Sequence, residues 1–186
     1  MSKNTINPFW SWNDKLRKEE LVRQIELMKE SGIEGFFMHA RGGLKTEYMG
    51  DDWFDCIKAC MDKADELDME AWAYDENGWP SGFASGIVPK KGVDFQQKKL
   101  ETAWLNKGDR LPENLLGLYK VGENGAESIN TAENGCFAVY YTVNPYYIDT
   151  FNPAAIKCFI NETHEKYYER FKDYFGKELV GFFTDE

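Results

Sequence analysis

The feature that most constrains this chain is an alternation. A short apolar run, a polar or glycine-rich segment and an amphipathic helical stretch follow one another repeatedly. Asn7 to Trp12 reads as a first strand with its exit loop. Lys15 to Glu30 follows, with Leu16, Val22, Ile25, Leu27 and Met28 in an amphipathic period. Asp14 is its expected N-cap and Ser31-Gly32 its stop. Ile33 to His39 is a second buried strand, followed by Ala40-Arg41-Gly42-Gly43. Asp52 to Leu67 is a second helix, and Met69 to Tyr74 a third strand that ends in Asp75-Glu76-Asn77-Gly78. Repeated at this spacing, the pattern is that of a parallel sheet wrapped by helices.

From about Pro89 to Asn144 the rhythm breaks. Short alternating stretches replace it (Leu116 to Val121, Glu127 to Asn130, Cys136 to Val143), separated by turn signals such as Gly122-Glu123-Asn124-Gly125 and Asn134-Gly135. This reads as an antiparallel β insertion at about 89–144 after the third strand, where barrels tolerate large additions. Asn152-Pro153 restarts the earlier pattern as a helix N-cap with proline at its first position. That helix is expected to reach about Phe175, and Leu179 to Phe183 forms a fourth strand before Thr184-Asp185-Glu186. The expected fold is α/β: a partial (β/α)8 TIM-type barrel of about four βα units, with residues 1–186 as the N-terminal half of a barrel. A whole barrel takes ~250 residues, and an open parallel sheet exposes apolar edges. A truncated chain, or self-association of two halves through open barrel edges, is therefore expected.

Charge narrows the partners. The formal net charge is −10, and basic residues gather only in short runs such as Lys90-Lys91 and Lys98-Lys99. Phosphate backbones and anionic membranes are repelled, so no nucleic acid and no membrane partner is expected. No apolar run approaches the roughly 20 residues of a membrane span. Met1-Ser2-Lys3-Asn4-Thr5 leads into a strand without a signal-peptide pattern, which points to a cytoplasmic protein; a mature exported form stays open. Cys56, Cys60, Cys136 and Cys158 lack zinc-site spacing and read as reduced core residues. The aromatic share of 16% serves a core first, but ring faces also stack on the C–H faces of sugars.

In a (β/α) barrel the active site gathers at the C-terminal strand ends. Here those ends offer Trp10, Trp12 and Asn13, then His39 and Arg41, then Asp75, Glu76 and Trp79, and finally Asp185 and Glu186. Carboxylates from two strands, a basic pair and tryptophans form a set suited to glycosidic cleavage, in which one carboxylic acid protonates the leaving oxygen and a second carboxylate acts as base or nucleophile. Each residue also has a plainer role open to it. Asp75 and Glu76 could cap the Asn77-Gly78 turn, Asp185-Glu186 could be a solvated terminus, and His39 could be structural. Arg41 could pair with Glu47, Asp51 or Asp52, and Trp10 and Trp12 could be core plugs. His164-Glu165 suggests the start of a zinc-protease motif, but Tyr168 stands where a second histidine is needed, and its helix is expected on the outer, solvated ring. Gly42-Gly43 and Gly78 to Gly86 lack the lysine and spacing of a phosphate loop.

Four stretches together resemble a known group. Asn7-Pro-Phe-Trp-Ser-Trp-Asn13, Phe37-Met-His-Ala-Arg-Gly-Gly-Leu44, Tyr74-Asp-Glu-Asn-Gly-Trp-Pro-Ser-Gly82 and Gly181-Phe-Phe-Thr-Asp-Glu186 resemble the barrel of uncharacterised glycoside hydrolases similar to the α-L-rhamnosidase group. Asp149-Thr-Phe-Asn-Pro153 through Tyr167-Tyr168 fits the same pattern, so the resemblance covers nearly all of the chain outside the β insertion. It implies a carbohydrate-active barrel with catalytic acids at strand tips, and Glu186 corresponds to the acid/base carboxylate that ends the fourth strand. The group continues into a second half-barrel, often with β-sandwich domains; here the partner carboxylate of a later strand is missing. The expected function is glycoside hydrolysis of an oligosaccharide or glycoside. Glu186 is the leading acid, Asp185 sits beside it, and Asp75 or Glu76 orients hydroxyls or takes the second catalytic role. His39 and Arg41 bind hydroxyls or a uronic carboxylate, while Trp10, Trp12 and Trp79 stack on rings, with no cofactor and no metal. The alternative is a non-catalytic carbohydrate-binding or assembly fragment that needs a partner to complete the barrel, and a metal-dependent hydrolase is a third.

Overall fold

In chain order the first elements are β1 (Phe9–Trp12), α1 (Lys18–Glu30), β2 (Gly35–Ala40), α2 (Asp51–Glu66) and β3 (Glu70–Asn77). Short 3-10 turns lead into β4 (Gln96–Leu105), β5 (Leu115–Gly122), β6 (Gly125–Ile129) and β7 (Cys136–Ile148). The chain then forms α3 (Pro153–Glu162), α4 (His164–Phe171) and β8 (Leu179–Phe183). This is the arrangement in a computed structural model, which describes residues 6–185. It is a mixed α/β fold with two sheets: a parallel one in the order β1-β2-β3-β8 and an antiparallel one in the order β4-β7-β5-β6. Among the described residues the parallel sheet is open, with β1 and β8 at its edges.

Side-chain alternation decides which face of the parallel sheet is covered. Trp10 and Trp12 of β1, Phe36 and Met38 of β2, and Ala71 and Ala73 of β3 point to the side taken by the helices. There α2 presents Trp53, Ile57, Cys60, Met61 and Ala64, a run at helical spacing that forms one apolar stripe. Trp53 is the pivot: its ring meets Trp12 edge-on at 5.1 Å, and its indole N–H donates to the Tyr167 hydroxyl of α4 at 3.3 Å. Asp51 and Asp52 open α2, where negative charge suits the positive end of the helix dipole. The opposite sheet face carries Phe9, Phe37, Trp72, Tyr74 and Phe183, and Phe9 keeps 53% of its surface exposed. Gly181 of β8 makes room for the Trp72 ring; a Cβ there would lie 2.9 Å from it.

Three local expectations change. Helix α1 begins at Lys18 rather than Lys15, and Asp14 does not cap it; its carboxylate instead accepts from the Lys15 N–H and pairs with Lys45 at 2.6 Å. The stretch expected as one helix to Phe175 breaks at Thr163 (φ −123°, ψ −83°). The Thr163 hydroxyl donates to the Phe159 carbonyl at 2.6 Å, a local bond that competes with helix continuation. Strand β4, the longest partner of β7, lies where Lys98, Lys99 and Glu101 obscure the alternation.

Candidate functional site

The C-terminal ends of β2, β3 and β8 bring five polar side chains together on the open face. Along β3, Tyr74 and Glu76 are two residues apart and share a face, whereas Asp75 between them points to the helix side. Glu76 is 1% exposed and His39 of β2 is 3% exposed, with His39 Nε2 3.5 Å from Glu76 Oε1. His39 stacks on Tyr74 at 3.7 Å between ring centroids, with 7° between the planes. The Tyr74 hydroxyl donates to the Asp185 carboxylate at 3.1 Å. Arg41, half exposed, brings its guanidinium within 4.0 Å of Glu76 Oε1. Glu76 Oε2 is buried without a hydrogen-bond partner, as are both His39 ring nitrogens.

This environment sets the charges. Burial pushes the Glu76 carboxyl up to about 7, with the Asp185 charge adding to the effect, the Arg41 charge opposing it and Asp75 adding a smaller push. Burial also pushes the His39 imidazole down to about 4, helped by Arg41 and opposed by Asp185. The Tyr74 hydroxyl is raised by burial, by Glu76 and by Asp185, so it serves as a donor. Between about pH 4 and pH 7 the cluster thus holds a protonated carboxylic acid and a neutral imidazole. A buried acid that keeps its proton is what proton donation to a leaving group demands.

Asp75 has a different occupation. Its carboxylate is fully buried and accepts from the Ser81 hydroxyl at 2.6 Å and the Thr184 hydroxyl at 2.6 Å. His164 Nε2 lies 3.1 Å away. Ser81 in turn accepts from the Asp185 N–H at 2.9 Å and donates its own N–H to the Asp185 carbonyl at 3.3 Å. Asp75 therefore fastens β8 and the loop after β3 to one another. Gly82, the next residue in that loop, has φ +94° and packs directly against Ile148, so a side chain there would clash.

The other residues singled out by sequence are dispersed. Trp10 and Trp12 lie under the helices, Trp12 at 2% exposure, and they take the core role; the Trp10 N–H donates to Gln24 at 2.9 Å. Their ring faces are spent on protein contacts because the pleat sends them toward α1 and α2. Arg41 turns to Glu76, while Asp51 pairs with Arg170 at 3.3 Å. Asn13 is exposed, with its carbonyl against Gly43. Trp79 is 59% exposed on the loop after β3. Glu186, the leading acid from the sequence, lies outside the described residues. His164 departs from its expected place: α4 carries it to Asp75 instead of to a solvated outer face. Tyr74, Ser81 and Thr184 went unrecognised, and His164 was set aside as a solvated position. Tyr74 could have been found from its i, i+2 relation to Glu76.

No family model matches this chain, and no curated protein matches it. Among solved structures, the chain is similar to a rhamnosidase from Novosphingobium sp. PP1Y, at 26% identity and a TM-score of 0.40. The match covers 60% of this chain and 11% of that one, so the chain spans about a tenth of that protein's length. The likeness is weak, and the chemistry of the site has to stand on its own residues.

Proposed function

We propose that the parallel sheet is part of a (β/α)-barrel whose open face binds a carbohydrate, and that Glu76 and Asp185 serve it as the carboxyl pair of a glycoside hydrolase. One observation carries the reading. Two carboxyl groups stand at the tips of neighbouring strands in unlike surroundings, Glu76 buried and protonated up to about 7 and Asp185 held by the Tyr74 hydroxyl. Groups whose environments separate their proton affinities divide the acid and base roles between them. Glu76 gives its proton to the glycosidic oxygen as the bond to the sugar carbon breaks. Asp185 takes a proton from the attacking water or attacks the sugar carbon itself. Arg41 at the mouth donates to hydroxyls, and the rings of Phe9, Phe37 and Phe183 offer apolar surface to the sugar.

The test is hydrolysis of a panel of aryl glycosides by the full chain. Glu76→Gln is expected to lower kcat/KM by about 10²–10⁴, the usual contribution of a general acid. Parent activity should fall as pH rises through about 7, where Glu76 loses its proton. Turnover of the variant within a few-fold of the parent rejects the assignment. The exposed Phe9 and Trp79 favour a second reading, carbohydrate binding without turnover. Tryptophan fluorescence that saturates with an oligosaccharide, unchanged in Glu76→Gln and with no hydrolysis by either protein, selects that reading.

A further inference from the structure

We propose that His164 is a positioning residue that, through Asp75, Ser81 and Thr184, fixes the main chain of Asp185 and so aims its carboxylate at the Tyr74–Glu76 side of the sheet. The inference rests on the glycosidase reading only for the role it gives Asp185, and its test uses no sugar. Hydrogen accounting supports it. The Thr163 hydroxyl spends its single proton on the Phe159 carbonyl at 2.6 Å, so toward His164 Nδ1, 2.9 Å away, it can only accept. The other ring nitrogen faces Asp75 Oδ2 at 3.1 Å, and a carboxylate also accepts. The ring nitrogen that faces Asp75 is thus placed as a donor to it.

The other Asp75 contacts leave no slack. Ser81 takes the Asp185 N–H, so its hydroxyl proton is free to go to Asp75 Oδ1, and Thr184 gives its proton to Oδ2. Three donors from three parts of the chain (α4, the loop after β3, and the segment after β8) meet on one buried carboxylate. The rings of Phe159 and Phe182 flank His164 at 5.3 Å and 4.8 Å, while 29% of the side chain stays exposed. Removing its donor leaves a buried carboxylate short of one partner, which is costly and loosens what the carboxylate holds. Ser81 and Thr184 are the next links, and Asp185 follows them directly.

Nuclear magnetic resonance of the labelled full chain tests this. In the parent, long-range ¹H–¹⁵N spectra are expected to show a proton on His164 Nε2, the ring nitrogen that faces Asp75. His164→Leu is expected to move the Ser81 and Asp185 amide resonances. It should also lower the midpoint at which the Glu76 side-chain carbon titrates, by roughly half a pH unit or more, because a like charge has moved away. His164→Gln, which keeps one N–H within reach of Asp75, should restore both toward the parent; a role in bulk packing would not be rescued in this way. A His164 Nε2 without a proton in the parent overturns the proposal and requires no variant to fold. So does a folded His164→Leu with the Asp185 amide and the Glu76 midpoint unchanged. A chain that cleaves no glycoside but gives the expected spectra sinks the glycosidase reading and leaves the link standing.

Discussion

Glu76 and His39 hold one proton between them in the opposite way from the unfolded chain. Between about 4.5 and 6.5, unfolded Glu76 has lost its proton and unfolded His39 has gained one, whereas in the folded protein the carboxyl keeps its proton and the imidazole stays neutral. Glu76 alone makes stability fall as pH rises from about 4.5 to about 7, because its folded-state affinity for the proton is raised. His39 alone makes stability rise with pH from about 4 to 6.5, because its affinity is depressed. The proton counts match over the shared window, so the parent curve should be nearly flat there. Urea unfolding across this range should show Glu76→Gln gaining stability with pH and His39→Gln losing it, each by up to about 3 kcal/mol. Parallel curves for parent and variants would refute the paired burial. The polar strand tips were legible in the sequence, but their sides were not. Asp75 and Glu76 read as one acidic pair, yet neighbours in a strand face opposite ways, so one became an anchor and the other the candidate acid. Trp10 and Trp12 were likewise placed together by alternation. Which face they took depended on Trp53, a partner from another element.

At the scale of elements, local chemistry was readable wherever it acts within a few residues. Asn152 and Pro153 mark the start of α3, and the Asn152 carboxamide oxygen does accept the Ala154 N–H at 3.0 Å. Its amide N–H₂ also donates to the Asp94 carbonyl at 2.7 Å, tying the helix start to the segment before β4. The second bond spans the antiparallel sheet in sequence, so no local signal announces it. Asn152→Ala removes both contacts and should cost about 1–2 kcal/mol. Asn152→Ser keeps the cap without setting an oxygen against the Asp94 carbonyl and should cost less than half as much by urea midpoint. Equal losses for the two would show that the cap contributes nothing. The break at Thr163 was missed because the apolar period runs through it, and a threonine hydroxyl back-bonding to a carbonyl leaves no mark on that period.

For the whole molecule, the alternation made the parallel sheet and its helical cover legible, since both follow from periodicity. The way the apolar surface divides was not, because that depends on which elements meet. Among the described residues, most buried apolar side chains fall into three clusters. The largest lies between the parallel sheet and α1, α2 and α4, and it contains Cys56 and Cys60. A second joins the 3-10 turns, the end of β7 and α3, with Cys158 at its margin. The antiparallel sheet is held by Leu105, Leu118, Cys136 and Ala138, while Leu100, Trp104 and Val121 remain exposed. Local opening follows the amount of apolar surface that must be uncovered, so a cluster of four side chains should open well before the main core. The four cysteines are free thiols, with at least one in each cluster, and can report on each separately. Under a pulse of alkylating reagent at rising urea, read by peptide mass spectrometry, Cys158 should react first and Cys136 next, at urea below the global transition. Cys60, with no exposed surface, should react only with global unfolding. If Cys136 and Cys60 become reactive at the same urea concentration, the two sheets unfold as one cooperative unit, and the separation of their cores has no energetic consequence.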